Sequence, residues 1–326
     1  MDQSRFKLTR RHLVLSGASL ACAAPALAKA PLLGSTRATV SRFKLGAFEV
    51  TTILDAGAVI DGPWPIVGED QPKEDVARLM RDNLLPEQKF QPGFTPTIVN
   101  TGAAVILFDA GNGANGFIPR PAGGWLAAQL APAGFAPEQV DIVVLTHAHP
   151  DHIGGLMEAG APLFPNARYV IGAAEYDFWA RDERLSAASG SLEAKSAAQF
   201  RTNLQPFAAK TRFVKPGDDV VPGIRALAAY GHTPGHLAFT IESQGQRLMV
   251  WGDCAHHQVA SLAQPGWHAL FDMDKEQGAV TRRRIYDMAA TDRIPIIGYH
   301  MPFPSLGFVE RSGAAYRWIA NSYQLL

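Results

Sequence analysis

The chain has 326 residues, 47% of them hydrophobic, which suffices for a sizeable buried core in one large domain or two ordinary ones. Lys and Arg number 30 and Asp and Glu number 30, so no strong field draws nucleic acid or an anionic membrane. Nothing resembles a basic recognition helix, which excludes a nucleic-acid partner.

At the start, Arg5, Lys7, Arg10 and Arg11 precede an apolar stretch over 13–28 that ends in Ala26-Leu27-Ala28. A basic start, a short apolar middle and a small-residue cleavage site make an export signal. Thr9-Arg10-Arg11-His12-Leu13 resembles the twin-arginine type, which points to the periplasm. A permanent anchor fits less well, because the run is short and rich in Ala and Ser, so no membrane span is expected in the mature form. The expected organisation is a signal over 1–28, a Pro- and Gly-containing linker over 29–41, and a single domain over 42–326. Cys22 leaves with the signal, so Cys254 stays alone and no internal disulfide forms.

Alternation predicts two strands joined around Gly46, one with Phe43 and Leu45, the next with Phe48, Val50 and Thr52. A helix starts near Pro72 and carries Val76, Leu79 and Met80 on one face. Strands follow at 98–100 and 104–108, then an amphipathic helix at 125–133. Residues 140–145, apolar apart from Asp141 and largely β-branched, have the character of a strand buried on both faces. Helices are expected at 173–181 and 185–200, and strands at 211–214 and 224–230. A hairpin pairs 238–242 with 247–251, and a helix at 275–288 precedes a strand at 294–299. Two halves of strands, ligands and helices imply two facing sheets covered by helices, a four-layer αββα sandwich in the α/β class.

The chemistry sits in His147-Ala148-His149-Pro150-Asp151-His152, directly after the buried strand and Thr146. Histidines two apart in extended backbone point to the same side. Asp151 and His152 follow where the chain turns, and Gly154-Gly155 allow a tight entry to the next element. Imidazole and carboxylate donors suit zinc and its first-row neighbours, and four within six residues can hold two ions. His232, Asp253 and His300 each follow a predicted strand, as expected when a rigid scaffold builds a site from several strand ends.

These motifs, Thr146 to Gly155, Gly231-His232-Thr233-Pro234-Gly235-His236, Gly252-Asp253 and the late His300, resemble the metallo-β-lactamase superfamily over essentially the whole mature chain. The resemblance implies His147, His149 and His232 on one metal and Asp151, His152 and His300 on a second, with Asp253 bridging. It implies two divalent ions, Zn2+ first and Mn2+, Co2+ or Fe2+ as alternatives. His236 resembles a residue that supports its loop without binding metal. Within the superfamily, the C-terminal third is similar to the methyl parathion hydrolase group and its lactone- and aryl-ester-hydrolysing relatives. The carrying residues are His300-Met301-Pro302-Phe303-Pro304 and Tyr316-Arg317 together with the motifs above. That likeness also implies a homodimer.

The expected reaction is attack on a lactone or aryl-ester carbonyl by a hydroxide that two ions generate near neutral pH. Phosphotriester turnover would be a side activity. Asp253 can accept the nucleophile's proton, and His256 is a candidate catalytic residue that assists the leaving oxygen. Phe178, Trp179, His257, Trp267 and Phe271 are candidates for the substrate pocket, although aromatics at helical spacing more often serve a core. The rival is a β-lactamase, disfavoured because the position matching Asp253 is generally not aspartate in β-lactamases sharing the first motif. Glyoxalase II shares the aspartate but is not exported. Of a different class are a mononuclear iron oxygenase with a related histidine motif, which metal analysis would distinguish, and a non-catalytic metal-binding protein, which would be expected to have lost ligands, whereas all seven are present.

Overall fold

In the computed structural model, which describes Leu32, Gly34 and residues 36–322, two seven-stranded sheets each run in chain order. The first contains β1 (Val40–Leu45), β2 (Phe48–Ile53), β3 (Thr97–Asn100), β4 (Val105–Phe108), β5 (Ile142–Val144), β6 (Arg168–Gly172) and β7 (Thr211–Val214). It is antiparallel from β1 to β4 and parallel from β4 to β7. The second contains β8 (Asp219–Val221), β9 (Ile224–Ala228), β10 (Leu237–Ser243), β11 (Gln246–Val250), β12 (Ile296–Ile297), β13 (Leu306–Ser312) and β14 (Ala315–Ala320). There β11 and β12 are the parallel pair.

The layering follows from how single strands divide their side chains. Val143 packs with Leu107, Ile171, Trp179 and Phe200 under the helices, whereas Ile142 and Val144 join Phe239, Ile241 and Leu248 between the sheets. In the second sheet, Ala238 and Met249 turn the other way, toward Ile285, Tyr286 and Ala289 of the helix Lys275–Asp292. Period-two alternation with both faces apolar gives helix, sheet, sheet, helix, the expected αββα sandwich.

Several boundaries differ from expectation. The signal over 1–28 lies outside the described residues, and the end of the linker is already strand, since β1 opens at Val40. The helix expected over 185–200 begins only at Leu192, because Ser191 caps it by accepting from the Ala194 N–H at 3.1 Å. The strand over 294–299 shrinks to Ile296–Ile297, with Pro295 before it and Gly298 bonded to Ser305 after it. Strand β6 and the hairpin of β13 and β14 carry no expectation, since β13 ends in Glu310, Arg311 and Ser312 and shows little apolar alternation. No helix among the described residues is long and apolar enough to cross a membrane.

Asp55, just past β2, holds the loop beneath the site. Its carboxylate accepts from Asn112 N at 2.7 Å, Asn112 Nδ2 at 2.9 Å and Leu126 N at 2.7 Å, and Asn112 Oδ1 accepts from Ile118 N at 2.7 Å. Burial pushes the Asp55 carboxyl up to about 6, against the pull of those three donors. A folded state that holds its proton more tightly than the unfolded chain is favoured by this group below the unfolded value of 3.8 and loses that contribution as pH rises through about 6. In denaturant titrations of EDTA-treated protein, the stability advantage of wild type over Asp55→Asn should shrink by about 3 kcal/mol between pH of about 4 and about 7. A constant or widening gap would contradict it.

Candidate metal centre

Four strands from both sheets end at one rim. After β5, His147 and His149 lie on extended backbone, and His149 (φ −73°, ψ 156°) precedes the short helix Pro150–Ile153, which carries Asp151 and His152. Proline at the first helical position suits that turn. The backbones then close so tightly that a Cβ on Gly154 or Gly155 would lie 2.0 Å from a carbonyl oxygen, of Asn112 or Ala110 respectively. His232 follows β9, Asp253 follows β11, and His300 follows β12.

The seven expected ligands come together in two groups. His147 Nε2 and His149 Nδ1 are 3.0 Å apart, and His232 Nε2 is 3.2 Å from the first and 2.9 Å from the second. In the other group, Asp151 Oδ2 lies 3.5 Å from both His152 Nε2 and His300 Nε2. Asp253 stands between them. Its Oδ2 is 3.2 Å from His232 Nε2 and 3.0 Å from His300 Nε2, and its Oδ1 is 3.1 Å from His152 Nε2. Three ring nitrogens at such mutual distances cannot satisfy one another with hydrogen bonds, but one cation at their centre satisfies all three. His152 Nε2 and Asp253 Oδ1 are buried with no hydrogen-bond partner among the described residues. Both facts fit the site to a pair of divalent ions.

The outer nitrogens of His232, His152 and His300 are held by protein acceptors. Asp272 takes His232 Nδ1 at 3.0 Å and is itself bonded to the buried Arg282. Asp109 takes His152 Nδ1 at 2.9 Å and binds the Thr146 hydroxyl and amide. Gly93 O takes His300 Nδ1 at 2.9 Å, and Tyr299 donates its hydroxyl to Asp151 O at 2.5 Å. His236 bonds Ala229 O through Nδ1 and accepts the Asp253 amide at Nε2, so it supports the loop as expected and joins no ligand group. Asp109, Asp272, Tyr299 and Gly93 carried no sequence expectation. Only Asp109, at a strand end in Asp109-Ala110-Gly111, offered a signal.

Electrostatics separate the rings. Burial holds His147 and His149 well below the usual imidazole range, as neutral ligands must be. For His232 burial acts the same way, but Asp253 and Asp272 outweigh it and bring the ring to about 9. Burial would also protonate Asp253, yet His300, His152 and His232 keep it well below the usual carboxylate range.

A cleft of about 410 Å³ opens onto this cluster. Its walls include His256 and Phe271, as expected, with Ile60, Phe90, Phe94, Phe117 and Leu192. His256 is 4% exposed, both its ring nitrogens lack a hydrogen-bond partner among the described residues, and Nε2 is 3.6 Å from Asp253 Oδ2. Four expected pocket residues lie elsewhere. Trp179 is fully buried and donates to Glu175 at 2.7 Å. Phe178 packs on Trp179 beneath the Arg184 guanidinium. His257 accepts from Val259 N and Ala260 N, each at 3.1 Å, and so caps the turn at 260–263. Trp267 packs with Ile66, Val67 and Met80. Large aromatic surface went to cores, where its burial is worth most.

Residues 95–279, more than half of the chain, match the metallo-beta-lactamase superfamily, and the chain belongs to that family. An N-acyl homoserine lactonase of Bacillus cereus is 28% identical over 157 residues, 47% of this chain. The chain spans about half of that relative's length (53%). Among solved structures, AidC, a dizinc quorum-quenching lactonase in complex with a product, matches with a TM-score of 0.76 at 25% identity over 87% of this chain and 98% of that one. The hydrolase AbOPH, in the beta lactamase superfamily, matches at 0.80 and 25% over 89% and 99%.

If these groups hold ions, zinc at about a hundredfold over its dissociation constant should raise the thermal midpoint of EDTA-treated protein by roughly 5–10 °C. Asp253→Ala should abolish most of that shift. A zinc-independent midpoint in wild type would refute the assignment.

Proposed function

We propose that the chain opens lactones or cleaves aryl esters at two divalent ions, held by His147, His149 and His232 on one side and Asp151, His152 and His300 on the other, with Asp253 between them. The observation that carries this reading is an aromatic wall that ends at the ligands. Phe94 meets the His300 ring edge-on at 5.1 Å and stacks on Phe117 at 6.3 Å, and Phe117 meets Phe271 at 5.4 Å. Flat apolar walls beside a polar end suit a flat ring carrying one ester carbonyl. The lactonase likenesses support the lactone half of the reading.

Bound divalent ions would supply Lewis acidity toward the carbonyl and lower the pKa of a water beside it. Zinc is the proposed metal, with manganese, cobalt or iron as chemically acceptable substitutes. Asp253 presents its carboxylate where both groups meet and can take the proton of the attacking water. His256, kept neutral by burial, faces the cleft beside Phe271 at a ring distance of 6.1 Å, where it can hydrogen-bond the leaving oxygen. A phenolate needs little of that help and an alkoxide needs more. The same arrangement would serve a phosphoryl centre, so phosphotriester hydrolysis is proposed as a side activity. Export to the periplasm through residues 1–28, and a homodimer, belong to the same proposal and rest on the sequence.

With metal-replete protein, dihydrocoumarin, aryl esters and acyl-homoserine lactones should be turned over faster than nitrocefin. Faster nitrocefin hydrolysis would reverse the choice in favour of a β-lactamase, and one iron per chain with oxygen consumption would replace hydrolysis altogether. Phe271→Ala should raise KM for aryl lactones by roughly tenfold, the loss of about one aromatic contact and its buried area. Unchanged kinetics of His256→Ala on both aryl and alkyl lactones would remove His256 from the reaction. Replacing Arg10 and Arg11 by lysine should leave activity in the cytoplasmic fraction, and periplasmic activity unaffected by that change would argue against the twin-arginine route.

A further inference from the structure

We propose that Glu175 is a positioning residue for one ion of the pair and not for the other. The inference rests on the metal assignment above. The Glu175 side chain is fully buried (0% exposed) at the start of the helix Ala173–Trp179, and four donors converge on it. Oε1 accepts from Ala148 N at 2.9 Å and from Trp179 Nε1 at 2.7 Å. Oε2 accepts from the Thr233 hydroxyl at 2.6 Å and from Gly235 N at 3.0 Å. Ala148 is the residue between His147 and His149, and Thr233 is the residue after His232. One carboxylate therefore clamps the two loops that carry all three imidazoles of the first group.

The clamp has no slack. A Cβ on Gly235 would lie 2.0 Å from Glu175 N, so this loop meets the helix backbone directly. Trp179 adds its ring against His149 at 6.1 Å, edge-on. Burial raises the Glu175 pKa, whereas the three N–H groups of Ala148, Trp179 and Gly235, which can only donate, favour the ionised form. The second group is held by different atoms: Asp109 for His152, Gly93 O for His300, and Tyr299 against Asp151 O. None of these touches Glu175, although Asp109 also reaches the first group through the Thr146 hydroxyl, which lies 3.1 Å from His147 Nδ1.

In Glu175→Gln, at least one backbone N–H would face an amide N–H, and the spacing of His147 and His149 from His232 would relax. Stepwise zinc affinities from chelator competition, with cadmium NMR of the substituted full-length protein, report the two ions separately. Glu175→Gln should weaken the ion at His147, His149 and His232 by roughly 10- to 100-fold and shift its cadmium resonance, while the other affinity stays within about threefold. Tyr299→Phe, which removes the hydroxyl donated to Asp151 O, should weaken the second ion instead. Thr233→Val removes a single donor and should give a smaller loss in the same direction as Glu175→Gln, which covers the case of a Glu175 variant that does not fold. Equal weakening of both ions, as general destabilisation would give, overturns the proposal, and so do unchanged affinities in both variants. A wild-type chain that binds no divalent ion would instead bring down the metal assignment itself.

Discussion

Everything at this site is arranged around one carboxylate buried almost completely at the floor of the cleft. Asp253 is 3% exposed, and the rings of His152, His232, His256 and His300 all place a nitrogen within 3.6 Å of its oxygens. An unpaired charge at that depth would cost several kcal/mol, so the surrounding imidazoles, and the cations they can hold, are a condition of burying it. The requirement reaches into the fold. The rings come from the ends of strands in both sheets, so the sheets must stack with β5, β9, β11 and β12 ending on one edge. The inter-sheet core of Ile142, Val144, Phe239 and Leu248 thus sets the geometry of the polar cluster above it.

The two ligand groups are supported differently. His232 leans on a carboxylate, Asp272, which a buried guanidinium neutralises in turn. Glu175 adds a second carboxylate on the same side. His300 and Asp151, by contrast, are held by a backbone carbonyl and a phenol hydroxyl. Carboxylates back both groups, Asp272 and Glu175 the three-histidine one and Asp109 the other through His152.

The ligands were legible in the sequence because so many are local. Three histidines and an aspartate within His147 to His152, followed by Gly154-Gly155, have no sensible use in a plain core or loop. His232, Asp253 and His300 could be read because each closes an apolar run. The supports were not legible. Asp272 and Glu175 look like ordinary helix- or loop-borne acids, and their importance arises only when distant strands bring His232 and Ala148 to them. Asp55 is hidden for the same reason. The pocket is the hardest part to read: Trp179 and Trp267 are candidates in the sequence, but both rings are used for packing. Phe94 and Phe117 reach the cleft from irregular segments and Phe90 from the two-residue strand Lys89–Phe90, none of which shows a periodicity.

The aromatic wall also distributes evolutionary freedom unevenly. Phe271 is chained to Asp272, which orients His232, and Phe94 follows Gly93, whose carbonyl orients His300. A lineage that reshapes the wall at either place disturbs the ligand behind it, so new specificity there carries a penalty in metal retention and calls for compensating changes. Phe117 and Phe90 have no such neighbour. Drift toward new substrates has its open route along that side of the cleft, while the Phe94 and Phe271 side is constrained by the imidazoles it borders.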